Sequence, residues 1–288
     1  MLEISEKELK EILPLEGPSL NEVKKYLNKY NDEYVVIKCG GSVLVDKNLF
    51  NNFIDSISIL HKLGFLPIII HGGGKKISNK LEAAGIKKQF INGLRVTNEK
   101  SIKIVDDVLN IINKEITIAL NNNGCSSQSV NNREKNIIRV FRASKELGFV
   151  GTPSDINQSV IEQIIKEKKV PVVAPLGLDK DDNVYNVNAD TVAGAIAKKL
   201  NARRLIIMSD VEGVLDKNKE LLFEIDSQDI KKLIANKTID GGMIPKIENC
   251  LDVAQNGVKG VVIIDGRKNH SILFELLSDK GSGTLIRK

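Results

Sequence analysis

The chain has 288 residues, enough to bury one large α/β core or two lobes. Its 42 Lys and Arg against 37 Asp and Glu are interspersed, and only 4% of residues are aromatic, so a nucleic-acid surface is not expected; no apolar run approaches the ~18 residues that span a membrane. Cys39, Cys125 and Cys250 are odd in number and far apart, which argues against a disulfide framework or a zinc site, and the mixed-charge N-terminus lacks a signal-peptide core, so a cytoplasmic enzyme or binding protein is the expectation.

Residues 1–31 read as a helical extension. Leu2, Ile4, Leu9, Ile12 and Leu13 suggest a short amphipathic helix stopped by Pro14 and Gly17-Pro18. Ser19, with Glu22 at the capping-box position, opens a second helix that carries Leu20, Val23, Leu27 and Tyr30 on one side. The core begins at residues 34–38, YVVIK, a strand with Lys38 at its C-terminal end, where α/β proteins place ligand groups. The glycine pair Gly40 and Gly41 follows, then a helix over about 48–63.

The stretch around which the rest is organised is LPIIIHGGGKKISNKL, residues 66–81. A buried strand runs into His71, then Gly72, Gly73 and Gly74, then a helical pattern through Ile77 and Leu81. Glycines between a strand and a helix N-terminus suit an anion, because unpaired N–H groups and the helix dipole favour negative charge. A tight turn without a ligand is the plainer alternative. No GxxxxGK[ST] is present, and Ile77 stands where GxGxxG needs its last glycine.

Arg95 lies in a glycine-led loop before a long helix over 98–122, for which Thr97 is a plausible N-cap; by itself it could equally be a solvated surface arginine. Residues 121–136 are polar and Asn-rich and read as loop. Short strands near 137–141 and 148–151 suggest an antiparallel hairpin, and a helix over 156–167 feeds a strand at 170–174. A lobe boundary is expected near 178, dividing the chain into 32–178 and 179–288. Asn186, Asn188 and Asp190 come at the start of an Ala-rich helix, where a carboxylate is ordinarily a cap or dipole partner. Strand 203–210 ends in Asp210. A glycine pair before a helix from about Met243 puts Lys246 in that helix's first turn, against the dipole. Strand 260–266 and a last helix and strand close the chain.

Glycine turns and two well-placed lysines, with no His–Ser–Asp arrangement, point to phosphate handling, which needs positioning and positive charge more than covalent chemistry. In order, IKCGGS, IIIHGGGKKI, NGLRVT, INKEI, LGFVG, APLG, YNVNAD, SDVEGVL and DGGMIPK resemble the amino acid kinase family over about 20–288. Within it they are most similar to the members that phosphorylate the γ-carboxylate of N-acetyl-L-glutamate in arginine biosynthesis. The resemblance implies a three-layer αβα sandwich with a mostly parallel central sheet, an N-terminal acyl-substrate lobe and a C-terminal ATP lobe. It implies Lys38 and Lys246 as transition-state lysines oriented by Asp190. It implies Gly73, Gly74, Arg95 and Asn186 at the substrate, and Gly40, Gly41, Asp210, Gly213, Val214 and Leu215 at the nucleotide, with Mg2+ held mainly by the phosphates of ATP.

Arginine-inhibited members carry an N-terminal helix with a tyrosine twelve residues before the first lysine, as Tyr26 stands before Lys38. Such helices link dimers into a hexamer, with arginine bound against the C-terminal lobe; here Lys280 replaces a usually acidic residue and would repel a guanidinium. The run QSVNNREK at 128–135 also departs from the family's Gly-Leu-Ser-Gly-Lys-like pattern. Two other readings compete: a sister kinase on carrier-linked aminoadipate or glutamate, and a catalytically idle nucleotide- or arginine-sensing protein. Some members bind a PII signalling protein, and no feature of the sequence decides that here.

Overall fold

A computed structural model describes residues 4–288, so Leu2 of the first expected helix lies outside the described residues. Two helices lead, α1 (Glu6–Ile12) and α2 (Leu20–Tyr30), each opened by a capping box, Ser5 with Glu8 and Ser19 with Glu22. The core follows with β1 (Tyr34–Cys39), α3 (Lys47–Lys62), β2 (Leu66–His71) and α4 (Gly74–Ala83). Asn92 and Gly93, both at positive φ, make the tight turn between β3 (Phe90–Ile91) and β4 (Leu94–Arg95). Next come α5 (Glu99–Asn122), β5 (Ser127–Val130), β6 (Ile138–Arg142), β7 (Val150–Ile156), α6 (Gln158–Lys166), β8 (Val170–Val173), β9 (Leu176–Leu178) and β10 (Val184–Val187). The last third comprises α7 (Ala189–Lys199), β11 (Arg204–Ser209), β12 (Glu224–Ile225), α8 (Ser227–Ala235), α9 (Met243–Gln255), β13 (Val261–Asp265), α10 (Ser271–Leu277) and β14 (Gly283–Ile286).

Eight strands form one sheet in the order β12-β14-β13-β11-β1-β2-β8-β5. The run from β13 to β5 is parallel throughout, and β14 lies antiparallel beside β13. Strand residues alternate between two cores. Val35, Ile37, Ile69, Ile206 and Ile264 pack with α2, α3, α5 and α10, whereas Val36, Ile68, Ile70, Ile207 and Ile263 pack with α6, α7 and α9. That period of two, with helices on both faces, makes the three layers. Lys38 shares the parity of Val36 and so faces the α7–α9 layer.

Two expectations change. Thr97 does not cap α5: its N–H donates to the Leu147 carbonyl and its own carbonyl accepts from Phe149. With that backbone committed to pairing, the helix starts one residue later, and Asn98 Oδ1 accepts from the Ser101 N–H at 2.9 Å. Residues 121–136 are not all loop either, since Ser127–Val130 is an edge strand of the main sheet beside β8. An edge strand with one neighbour tolerates the polar Ser-Gln-Ser content that hid it. The expected β6–β7 hairpin is present, and it closes with β9 and β10 into a four-stranded barrel that the sequence did not suggest.

Candidate active site

A cleft of about 640 Å³ opens at the C-terminal ends of β1, β2 and β11, the crevice end of a parallel sheet. Lys38, Lys75, Arg95 and Lys246 line it against two carboxylates, Asp190 and Asp210, so its balance favours an anion. Lys38 comes from the central strand, Asp190 from the first turn of α7 and Lys246 from the first turn of α9. Asp190 Oδ1 lies 2.8 Å from Lys38 Nζ, and Asp190 Oδ2 accepts from Lys246 Nζ at 3.2 Å. One carboxylate therefore holds an ammonium on each oxygen. Burial acts to raise the Asp190 pKa, but the charges of Lys38 and then Lys246 outweigh it and hold the carboxyl below its ordinary range.

Asp190 is not the cap of its helix. Asn188 is, with Oδ1 accepting from the N–H groups of Asp190 and Thr191, which leaves the aspartate side chain free to turn to the lysines. Asn249 Nδ2 on α9 donates to the Asp190 carbonyl at 3.3 Å, tying the two helices at this point. Gly194 permits their approach: a Cβ there would stand 2.7 Å from Val253 Cγ2.

The glycines divide by task. A Cβ on Gly73 would collide with Leu109 Cδ2 at 2.7 Å and one on Gly40 with the Met208 carbonyl at 2.9 Å, so these two permit close packing. Gly74 faces open space, and Gly41 meets only Lys75 near 4 Å. Gly73 supplies no side-chain cap to α4, so the first N–H groups of that helix have no capping side chain beside the cleft. Arg95 Nη2 donates to the Gly74 carbonyl at 3.1 Å and to Ser78 Oγ at 2.8 Å, and its guanidinium stacks 4.8 Å over the Phe90 ring. Its Nη1 is buried without a hydrogen-bond partner among the described residues, and burial pushes its pKa down. A half-buried, half-satisfied guanidinium at a cleft wall suits a carboxylate. Asn186 lines the same wall and donates to Thr97 Oγ1 at 3.3 Å.

The remaining residues singled out in the sequence stand elsewhere. Asp210 reaches the cleft, but Gly213, Val214 and Leu215 do not line it. Val214 is buried and its N–H donates to Thr284 Oγ1 at 2.8 Å, while Leu215 bridges Leu221. Tyr26 and Lys280 are also outside the cleft. The Tyr26 hydroxyl donates to Asp279 Oδ1 at 2.7 Å, joining α2 to the segment after α10, and Lys280 lies over the Phe223 ring. Sequence reasoning missed Ser78, Asn188 as a cap and Asn249. The Asx-before-helix pattern could have given Asn188; nothing local signals the other two.

Fold and cleft together define an α/β protein with a cation-rich cleft at the C-terminal edge of a parallel sheet. The chain belongs to the Amino acid kinase family, whose pattern matches residues 33–265. It is 62% identical over 288 residues, the full length of both chains, to an acetylglutamate kinase from Pelagibacter ubique. A Streptococcus mutans structure, smu.665, superposes with a TM-score of 0.76 at 32% identity, covering 88% of this chain and 98% of that one. N-acetylglutamate synthase from Neisseria gonorrhoeae shares the fold at a TM-score of 0.84 and 20% identity, over 93% of this chain and 62% of that one.

Proposed function

We propose that the protein is an ATP-dependent kinase that phosphorylates the γ-carboxylate of N-acetyl-L-glutamate, the second step of arginine biosynthesis. The observation that carries this reading is Asp190 bridging Lys38 and Lys246 beside the glycine turns. A γ-carboxylate oxygen attacks the γ-phosphorus of ATP, the bond to the β-phosphate oxygen breaks, and ADP leaves with that electron pair. The product is an acyl phosphate, and no proton is transferred. Lys38 and Lys246 meet the negative charge that builds on the equatorial and leaving oxygens, and Asp190 keeps both ammoniums aimed. Arg95 takes the substrate's α-carboxylate, Asn186 its acetylamino group, and Gly73 and Gly74 offer backbone N–H groups. Gly40 and Gly41 lie toward the phosphates, with Asp210 and the Gly213–Leu215 turn toward the nucleoside.

Magnesium would arrive with ATP and be held mainly by its phosphates. Residues 32–178 serve as the acyl lobe and 179–288 as the nucleotide lobe. Exposed Ile111 and Ile118 on α5 support a dimer through that face, and the N-terminal helices support further assembly into a hexamer. An arginine effector site would lie by Tyr26 and the 279–283 segment, with Lys280 opposing a guanidinium there. A cytoplasmic location suits such an enzyme; no described helix is long and apolar enough to cross a membrane.

The test is acyl-phosphate formation from ATP and N-acetyl-L-glutamate, trapped with hydroxylamine, with and without millimolar arginine. Activity supports the substrate, and loss of it on adding arginine supports the effector site. Activity only on a carrier-linked aminoadipate or glutamate would replace the substrate reading. No turnover on any acyl acceptor would support a sensing protein.

A further inference from the structure

His71 ends β2 one residue before the glycines, fully buried, and no step of the reaction uses it. Its surroundings fix its hydrogens. Asn113 Nδ2 on α5 donates to the Val172 carbonyl at 2.8 Å, an atom that can only accept, so the amide must turn its nitrogen that way. The same Nδ2 lies 3.2 Å from His71 Nε2, and Asn113 Oδ1 accepts from Ser129 Oγ, which accepts in turn from Asn131 Nδ2. Nε2 is therefore the acceptor and Nδ1 carries the proton. Nδ1 lies 3.1 Å from the Gly72 carbonyl and donates to it. In a trans peptide the carbonyl and the following N–H point opposite ways. With the Gly72 carbonyl drawn toward the buried imidazole, the Gly73 N–H points away from it, and Gly73 lines the cleft.

We propose that His71 is a positioning residue: the chain Asn131–Ser129–Asn113–His71 locks the Gly72–Gly73 peptide so that the Gly73 N–H is presented to the reacting anion. The neutral imidazole suits that role. Burial pushes its pKa down to about 4, so the Nε2 lone pair stays available at physiological pH. The inference also gives the unusual 128–135 stretch a task, since Ser129 and Asn131 form the outer end of the chain. Asn131 Oδ1 further accepts from the Arg133 and Glu134 N–H groups, which holds that turn in place. The catalytic part of the proposal rests on the kinase reading above; the hydrogen-bond lock does not.

Two substitutions separate position from mere filling. His71→Leu removes both ring contacts, whereas His71→Asn keeps a donor near the Nδ1 position. His71→Leu should lower kcat on N-acetyl-L-glutamate about tenfold or more with an ATP Kd near wild type, and His71→Asn should restore most of it. Hydrogen exchange of the Gly72 N–H, which donates to the Cys39 carbonyl at 3.0 Å, should quicken in His71→Leu and not in His71→Asn. If His71→Leu does not fold, His71→Asn carries the test through kcat and exchange near wild type. A folded His71→Leu with wild-type kcat and exchange, or a His71→Asn as slow and as quick to exchange as His71→Leu, would overturn the proposal. A wild-type protein inactive on N-acetyl-L-glutamate would sink the substrate reading alone, and the exchange result would still decide the lock.

Discussion

The two flanks of the cleft are built differently. On the β2–α4 flank, Arg95 is held by Gly74 and Ser78, Asn186 by Thr97, and the glycine turn by His71 and Asn113. On the α9 flank, Asp240, Gly241 and Gly242 are exposed, Asp210 is exposed, and Lys246 and Asn249 are tied to Asp190. A flank whose polar groups are already hydrogen-bonded is preorganised, and its groups lose little entropy on meeting a ligand. An exposed, glycine-rich flank has few such bonds and keeps more backbone freedom. On the proposed kinase reading, the contrast assigns discrimination to the first flank and turnover to the lysine bridge between them.

The largest break in that contrast should come from Lys246→Ala. Loss of one electrostatic donor should lower kcat at least about 10²-fold, or ~3 kcal/mol, with ATP affinity little changed; steady-state kinetics with nucleotide titration would show it, and near-wild-type turnover would remove Lys246 from the chemistry. On the preorganised flank, Arg95→Ala should raise the acyl-substrate KM by about tenfold to a hundredfold with a smaller change in kcat. An unchanged KM would place the α-carboxylate elsewhere. Gly194→Ala acts at a distance. Its Cβ would meet Val253 Cγ2 at 2.7 Å, forcing α7 and α9 apart for about 1–3 kcal/mol of stability and loosening Lys246 from Asp190. Thermal unfolding and kcat should fall together, and an unaltered kcat would mean that the α7–α9 spacing does not set the lysine.

The smallest effect is in acid. His71 has its pKa lowered from 6.5 to about 4, chiefly by burial, so the unfolded chain binds its proton more readily. Its stabilising share is complete above about pH 6.5 and is lost as the pH falls toward 4. His61 and His270 are lowered in the same direction, also by burial. Comparison of unfolding between pH 7 and 4.5 for the wild type and His71→Asn isolates the one group: the variant should lose less stability over that range. Equal losses would contradict a buried, neutral His71.

Much of the fold was legible in order. The β1 and β2 strands, the Ser19–Glu22 capping box and the start of α9 at Met243 follow from short-range rules, because caps, glycine stops and apolar periodicity act within one or two turns. Thr97 was misread because its backbone pairs with residues 147–149, fifty positions on. Strand β5 was misread because an edge strand needs no apolar alternation. At the site, Lys38 at a strand end and the three glycines were visible from residues alone, whereas Arg95 and Asp190 each had a plain alternative until the family resemblance spoke.

What the amino-acid sequence determined by itself is the alternation of strands and helices, the glycine turns at strand ends, and the place of Lys38 at the C-terminal end of β1. These depend on the period of each segment and on backbone freedom at glycine, both local properties. Beyond the family resemblance, which had paired Asp190 with the lysines, the tertiary structure alone decided that four short strands close into a barrel and that Asn113 reaches His71 across 42 residues. Those meetings depend on the order in which the strands pair and on which layer each crossover helix joins. That order is set by non-local packing, and no single segment of the chain encodes it.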